Sequence, residues 1–225
     1  MDQPKILRSF FNKDFENKQD DILKKQSSEF NKNEVLEYIT KICSIPYKEF
    51  ILYVKENPNN MVIRSSDLTQ SSKLEACTTK LCDAFNRGSD KGLELKEVGL
   101  LLHNDEKERS DNTLGRYGLD QTKTGRQLGL TRCCNGKWYL TCIGKVFLLL
   151  DKNKQDSLLA RIILRDPLYS RLIKDAQNKD IHICDYMMDI GEETIKRRKS
   201  SIRNIVKIAL SECSLEKIVL HNITY

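Results

Sequence analysis

Asn135-Gly136 stands between two β-prone runs, LTRCC and KWYLT, and fixes a tight hairpin at that point of the chain. Asn and Gly are the residues that most readily adopt the positive φ values of a two-residue hairpin turn. Upstream, SSKLEACTTKLCDAFNRG places Leu74, Cys77, Leu81, Cys82 and Phe85 on one apolar stripe. Ser71 or Ser72 is its expected cap and Gly88 its end. LELKEVGLLLH groups Leu95, Val98, Leu101 and Leu102 at helical spacing. SDNTLGRYGLDQTKTGRQLGL begins at Ser110, a cap residue. Gly118 reads as a break in that pattern, Leu119 as a core plug, and Asp120 as the cap of a further short helix ending before Gly129. Thr141 opens a last helix, CIGKVFLLL.

Three helices followed by a hairpin is the order of a winged helix domain. Residues 122–145 then form the end of a recognition helix and the wing beside it. The second half reads as the same plan without sequence identity. QDSLLARIILRDPLYSRLIKDAQ is a long helix interrupted at Pro167, and IHICDYMMD a second, with Ile181, Cys184 and Met188 inward. A turn at Asp189, Ile190 and Gly191 leads to a third, EETIKRRKSSIRNIVKIAL, with Ile195, Ile202, Ile205, Ile208 and Ala209 inward. LEKIVLHNITY alternates as a terminal strand or short wing. Before these, residues 1–30 are a polar, Lys- and Asn-rich arm. NEVLEYITKIC and YKEFILYVKEN are helices separated at Pro46, and Asn57-Pro58-Asn59-Asn60 is a breaker. The expected fold is mainly α: an N-terminal arm and helical unit (1–60), then tandem winged helix-turn-helix domains with small β-hairpin wings (61–150 and 151–225).

Charge distribution points to a partner. The chain has 225 residues and a formal net charge of +6, yet residues 1–60 carry ten basic and ten acidic side chains. Two acid-free blocks stand out: 121–146, with five Lys and Arg, and 196–207 (KRRKSSIRNIVK), with six. Such blocks usually face a polyanion; the plain alternative is a solvated helix face.

After a helix-turn-helix turn, the next helix presents its N-terminal half to DNA, where free amides and the positive dipole end lie. The first set of expected DNA-binding residues is Arg116, Gln121, Thr122, Lys123, Thr124 and Arg126. Gln pairs well with adenine and Arg with guanine, and Thr124 and Gly125 are small enough for close approach. Arg132 and Lys137 on the wing reach a phosphate or the adjacent minor groove. In the second helix, Glu193, Thr194, Arg197 and Arg198 meet bases, while Lys196, Lys199, Ser200 and Arg203 hold the backbone.

Residues 90–210 resemble the tandem winged helix module of certain prokaryotic restriction-system proteins. The marks are GLELKEVGLLL, SDNTLGRYGLDQTKTGRQLGL, NGKWYLTCIGK, LLARIILRDPLYSRLI and ETIKRRKSSIRNIV. The resemblance implies recognition of a target sequence in double-stranded DNA, in a restriction, defence or regulatory setting. In that family the module is often joined to a nuclease.

Other chemistries compete with this reading. Asp83 with Glu94-Leu95-Lys96 has the spelling of a Mg²⁺-dependent endonuclease, in which carboxylates hold the metal and Lys polarises the attacking water. Both segments have helical periodicity, so no catalytic residue and no cofactor is assigned; Mg²⁺ belongs only to the nuclease alternative. Asp14, Asp20, Asp21 and Glu29 are further acids without a strand core around them. A third alternative is a protein-docking scaffold, and the N-terminal unit is the place for a protein partner. The eight cysteines contain no Cys-x-x-Cys pair. Adjacent Cys133 and Cys134 would point to opposite strand faces, which disfavours zinc. Buried reduced thiols are expected, with Cys43, Cys184 and Cys213 at helical core positions. Gly115-Arg116-Tyr117-Gly118 spells an RNA-clamping loop but lacks its strand context. The N-terminus has no sustained apolar core and no segment approaches a bilayer span, so a cytoplasmic chain is expected.

Overall fold

The computed structural model describes residues 3–11, 31–56, 73–88, 91–103, 107–187, 189 and 191–225. They are mainly helical and fall into two units. One takes its described residues from 12–38 and 74–155, the other from 1–11, 39–73 and 156–225. The caps expected at Ser71 or Ser72, the breaker at 57–60, the four acids of the arm, Met188 and Ile190 lie outside the described residues.

In the unit of residues 74–155, α4 (Leu74–Arg87), α5 (Leu95–His103) and α6 (Asp111–Gln127) precede a hairpin, β1 (Thr131–Cys134) and β2 (Lys137–Leu140), and a short α7 (Cys142–Phe147). Leu74, Leu81, Cys82, Val98, Leu114, Leu130, Trp138, Val146 and Phe147 are buried. Each large side chain contributes roughly 1.5–3 kcal/mol by leaving water. The hairpin turns at Asn135 (φ 50°) and Gly136 (φ 76°), pairing Thr131 with Leu140 and Cys134 with Lys137. Leu93 adds an antiparallel bridge to Trp138, with N–H···O bonds of 3.0 and 2.9 Å. Thr141 caps α7, accepting from Gly144 N at 3.1 Å.

The third helix corrects the expected turn. Ser110 caps it, accepting from Thr113 N at 3.3 Å, but α6 then runs unbroken through Gly118, Leu119 and Asp120 to Gln127. Gly118 is there for packing. A Cβ on it would overlap the carbonyl oxygen of Leu95, and one on Gly99 would overlap that of Leu114. The two backbones of α5 and α6 touch where each helix lacks a side chain. The helix ends at Gly129 (φ 68°), whose N–H bonds to Arg126 O at 3.0 Å while Leu130 N reaches Gly125 O at 2.8 Å. This is a Schellman ending, which needs a residue tolerant of positive φ.

The other unit holds α1 (Gln3–Phe11), α3 (Tyr47–Glu56), α9 (Pro167–Ala176), α10 (Glu192–Ala209) and α11 (Glu216–Asn222), with the parts of α2 (Lys32–Ser44) and α8 (Lys152–Arg165) from Ile39 and Asp156 onward. Pro46 separates α2 from α3. Pro167 starts α9 behind an Asp166 cap. Phe10 and Phe50 meet edge to face at 5.9 Å, and both are buried.

Two expectations fail here. IHIC is not helical: β3 (Ile181–His182) leads into a 3-10 turn (Ile183–Tyr186). Ile181 and Ile183 are both buried, a period of two rather than 3.6. LEKIVLHN is not a strand but α11, with Val219 and Leu220 inward. Asn222 Nδ2 donates to Ala176 O at 2.7 Å and so satisfies the end of α9. β4 (Ile223–Thr224) then pairs with β3 in parallel. No hairpin follows α10 among the described residues, so the expected second wing is absent there.

Four tyrosines of this unit, Tyr47, Tyr169, Tyr186 and Tyr225, have their phenols pushed up, chiefly by burial; Tyr225 reaches about 12. The raised folded pKa values sit above an unfolded value of about 10. Their stabilisation is therefore full below about pH 10 and is lost as pH rises through the folded values. The urea midpoint of this unit is expected to fall as pH rises above about 10, in step with tyrosinate absorbance. A midpoint that stays constant through that range would contradict the assignment.

Candidate nucleic-acid interface

The exposed face of α6 follows from its packing. Gly118, Thr122 and Gly125, at i, i+4 and i+7, form a stripe of small residues turned to the core. Thr122 and Thr124 are buried, and their hydroxyls donate to Gly118 O (2.8 Å) and Asp120 O (3.0 Å). Thr131 Oγ1 donates to Thr122 O at 2.8 Å. A Cβ on Gly125 would meet Leu81 and Thr131. Burial removes Thr122 and Thr124 from the expected surface set, and Gly125 is small so that α6 can approach Leu81 and Thr131.

On the opposite side Arg116, Lys123 and Arg126 are exposed. At ~100° per residue they fall with Asn112 inside a sector of about 80°. Gln121 is half-buried and lies about 160° away from Lys123, so it cannot share their target. The sequence presents 121–126 as one surface only if a new helix begins at Asp120. With Ser110 as the cap, the i, i+4, i+11 spacing of Asn112, Arg116 and Lys123 is the signal that finds the exposed face.

The hairpin carries the next cations. Strand alternation puts Arg132, Cys134, Lys137 and Tyr139 on its outer face. The Arg132 guanidinium lies 5.3 Å from the Tyr139 ring centroid, and the Tyr139 hydroxyl donates to Lys91 O at 3.1 Å. Lys137 is exposed. Cys133 and Cys134 are also exposed, against the expectation of buried thiols. Cys82 and Cys142 are the buried ones; burial pushes the Cys82 thiol up to about 12 and raises that of Cys142. Cys43, Cys184 and Cys213 are half-buried, and Cys213 lies in the turn after α10 rather than in a helix.

In the other unit α10 presents Lys196, Ser200, Arg203 and Lys207 within a sector of about 60°. Glu193 is exposed and pairs with Lys196 at 3.2 Å, an exposed pair worth at most about 1 kcal/mol. Arg197 is exposed and donates to Thr194 Oγ1 at 3.3 Å. Arg198 is half-buried, on the flank. Lys199 and Arg203 line a cleft against α11 together with Lys207. The helix starts at Gly191, which has no capping side chain.

The residues of the nuclease spelling are engaged locally. Asp83 pairs with Arg87 at 2.9 Å, Lys96 with Asp111 at 2.5 Å, and Glu94 N–H donates to Glu97 Oε2 at 2.7 Å. Among the described residues no group of three or more His, Cys, Asp or Glu could hold a metal ion. Gly115 to Gly118 lies in the middle of α6, so it forms no loop. Among the described residues, no helix is long and apolar enough to cross a membrane. No protein-family model, curated protein or solved structure matches this chain.

Proposed function

We propose that this chain binds double-stranded DNA through the unit of residues 74–155, with α6 in the major groove and the hairpin on the flanking backbone. The observation that carries the reading is the grouping of Arg116, Lys123 and Arg126 on the solvent face of a capped helix, followed directly by a hairpin bearing Arg132 and Lys137. The order α4, Leu93 bridge, α5, α6, β1, β2 has the succession of a winged helix domain, which favours this geometry. Lys123 and Arg126 are the base-reading candidates, and Arg116, Arg132 and Lys137 meet phosphates. On α10, Lys196, Arg197 and Ser200 form a second basic surface for backbone contact. The setting that fits the resemblance is a non-catalytic reader in a prokaryotic restriction, defence or regulatory system.

Selection from a random duplex pool at near-physiological salt, with Mg²⁺ present and recovered ends mapped, tests this. One intact motif is expected. Arg126→Ala should weaken binding to it by about 5- to 150-fold, the range for one base contact. Gln121→Ala, on the wrong side of the helix, should change it less than about 3-fold. Cut ends at the motif would replace the reader with an endonuclease. Absence of any enrichment would sink the proposal and favour an acidic protein partner.

A further inference from the structure

The strongest unassigned feature is a cleft of about 650 Å³ in the unit that ends the chain. Its walls are α10, α11 and β4. Lys199, Arg203 and Lys207 project from successive turns of α10, and Lys217 and His221 from α11; Leu220, Ile223 and Tyr225 supply apolar surface. Glu216 is the one acidic side chain in this lining. None of Lys199, Arg203, Lys207 and Lys217 forms an ion pair with a carboxylate among the described residues. Lys199 Nζ rests 4.9 Å from the centroid of the Tyr225 ring. That ring in turn stands beside β4, held where Thr224 Oγ1 donates to Ile181 O at 2.8 Å.

Four cations gathered in one concave site repel one another, and the arrangement is stabilised by an anion that enters it. We infer that this cleft binds the phosphate groups of a small phosphorylated ligand of nucleotide size. The row Lys199, Arg203 and Lys207 spans about 12 Å along the helix, at ~1.5 Å per residue. That length engages a di- or triphosphate better than a single phosphate. Lys217 closes on it from α11, and Tyr225, Leu220 and Ile223 offer a wall for the apolar part of the ligand. The volume lies in the range of roughly 300–1,000 Å³ typical of small-ligand sites. Lys217 of α11 lines this cleft and belongs to none of the residues offered to DNA. The inference therefore stands apart from DNA binding, although in the sequence Lys199 and Arg203 read as holding a DNA backbone.

Isothermal titration of the full chain with ATP and with inorganic pyrophosphate tests it. Saturable, salt-sensitive binding of both is expected, tighter for ATP. Lys207→Gln and Lys217→Gln, both at exposed positions, should each weaken ATP by about tenfold or more, the scale of one charge-assisted hydrogen bond. Lys123→Gln in the other unit should leave ATP binding unchanged. Lys217 is outside every group offered to DNA, so Lys217→Gln should leave duplex affinity intact, which separates this site from that reading. Absence of ATP binding at millimolar concentration would overturn the inference. So would ATP affinity indifferent to Lys217→Gln, or a duplex affinity that falls with Lys217→Gln while ATP does not bind.

Discussion

Arg161→Ala is expected to cost the unit of residues 156–225 about 2–5 kcal/mol, chiefly from buried acceptors left stranded at about 1–3 kcal/mol each. Arg161 is 1% exposed, although Lys and Arg rarely lie so deep. Both terminal nitrogens of its guanidinium are satisfied, while the buried Nε has no hydrogen-bond partner among the described residues. Nη1 donates to Ser157 O (3.1 Å), to the Ser157 hydroxyl and to Glu212 Oε1 (3.1 Å). Nη2 donates to Ile45 O (2.8 Å) and Cys43 O (3.3 Å), carbonyls at the end of α2 that no helical N–H can reach. The same group lies 5.3 Å from the Tyr47 ring centroid and 5.7 Å from that of Phe50. Alanine would strand two carbonyls, empty a side-chain volume and leave Glu212 without its cation. Arg161→Lys keeps the charge but has three donors on a point instead of a planar fork. It should recover part of the loss, leaving about 2 kcal/mol missing. Urea unfolding of the variants measures both. A loss under about 1 kcal/mol for alanine would mean that water replaces the guanidinium and that the network carries little.

Gly118→Ala and Gly115→Ala, three residues apart on α6, are expected to have opposite signs. At Gly118 the new methyl falls on the Leu95 carbonyl, a backbone atom that cannot rotate aside. Separating α5 from α6 should cost about 3 kcal/mol, the upper part of the range for overpacking. At Gly115 a Cβ meets nothing within 4 Å. Alanine there removes unfolded-state entropy and should stabilise by about 0.5–1 kcal/mol. Thermal melts of both variants decide the point. Equal and small effects would mean that α6 breaks near Gly118 in solution, as the sequence alone predicts.

That pair of glycines marks the limit of what local sequence signals carry. The Ser110, Thr141 and Pro167 boundaries and the Asn135-Gly136 turn are local, and each appears where expected. A glycine inside a helix has the same spelling whether it ends the helix or lets another backbone approach. The choice depends on Leu95 and Gly99, which are far away in sequence. A turn at Gly118 would bring Gln121, Thr122 and Thr124 to the surface, whereas the two threonines are buried. The Leu93 bridge is hidden for a related reason, since a single paired residue has no periodicity. On the last segment, Ile218, Leu220 and Asn222 alternate with Val219, His221 and Ile223 in a way that a strand could use. Val219 and Leu220 are both buried, however, and Asn222 bonds to Ala176 O, which is the helical arrangement. The basic cleft is half legible: Lys199, Arg203 and Lys207 are spaced at i, i+4 and i+8, but Lys217 joins them only through the packing of α11 on α10.

The measurement that bears most directly on DNA binding is the salt dependence of duplex affinity, compared between the unaltered chain and Arg116→Ala/Lys137→Ala. Both positions are on the surface, so folding should be preserved. A steep linear fall of log K with log salt is predicted. The double variant should lower that slope by about 2, at roughly 0.9 for each phosphate no longer neutralised. A duplex affinity whose slope is the same in both proteins would contradict the placement of α6 and the hairpin on DNA.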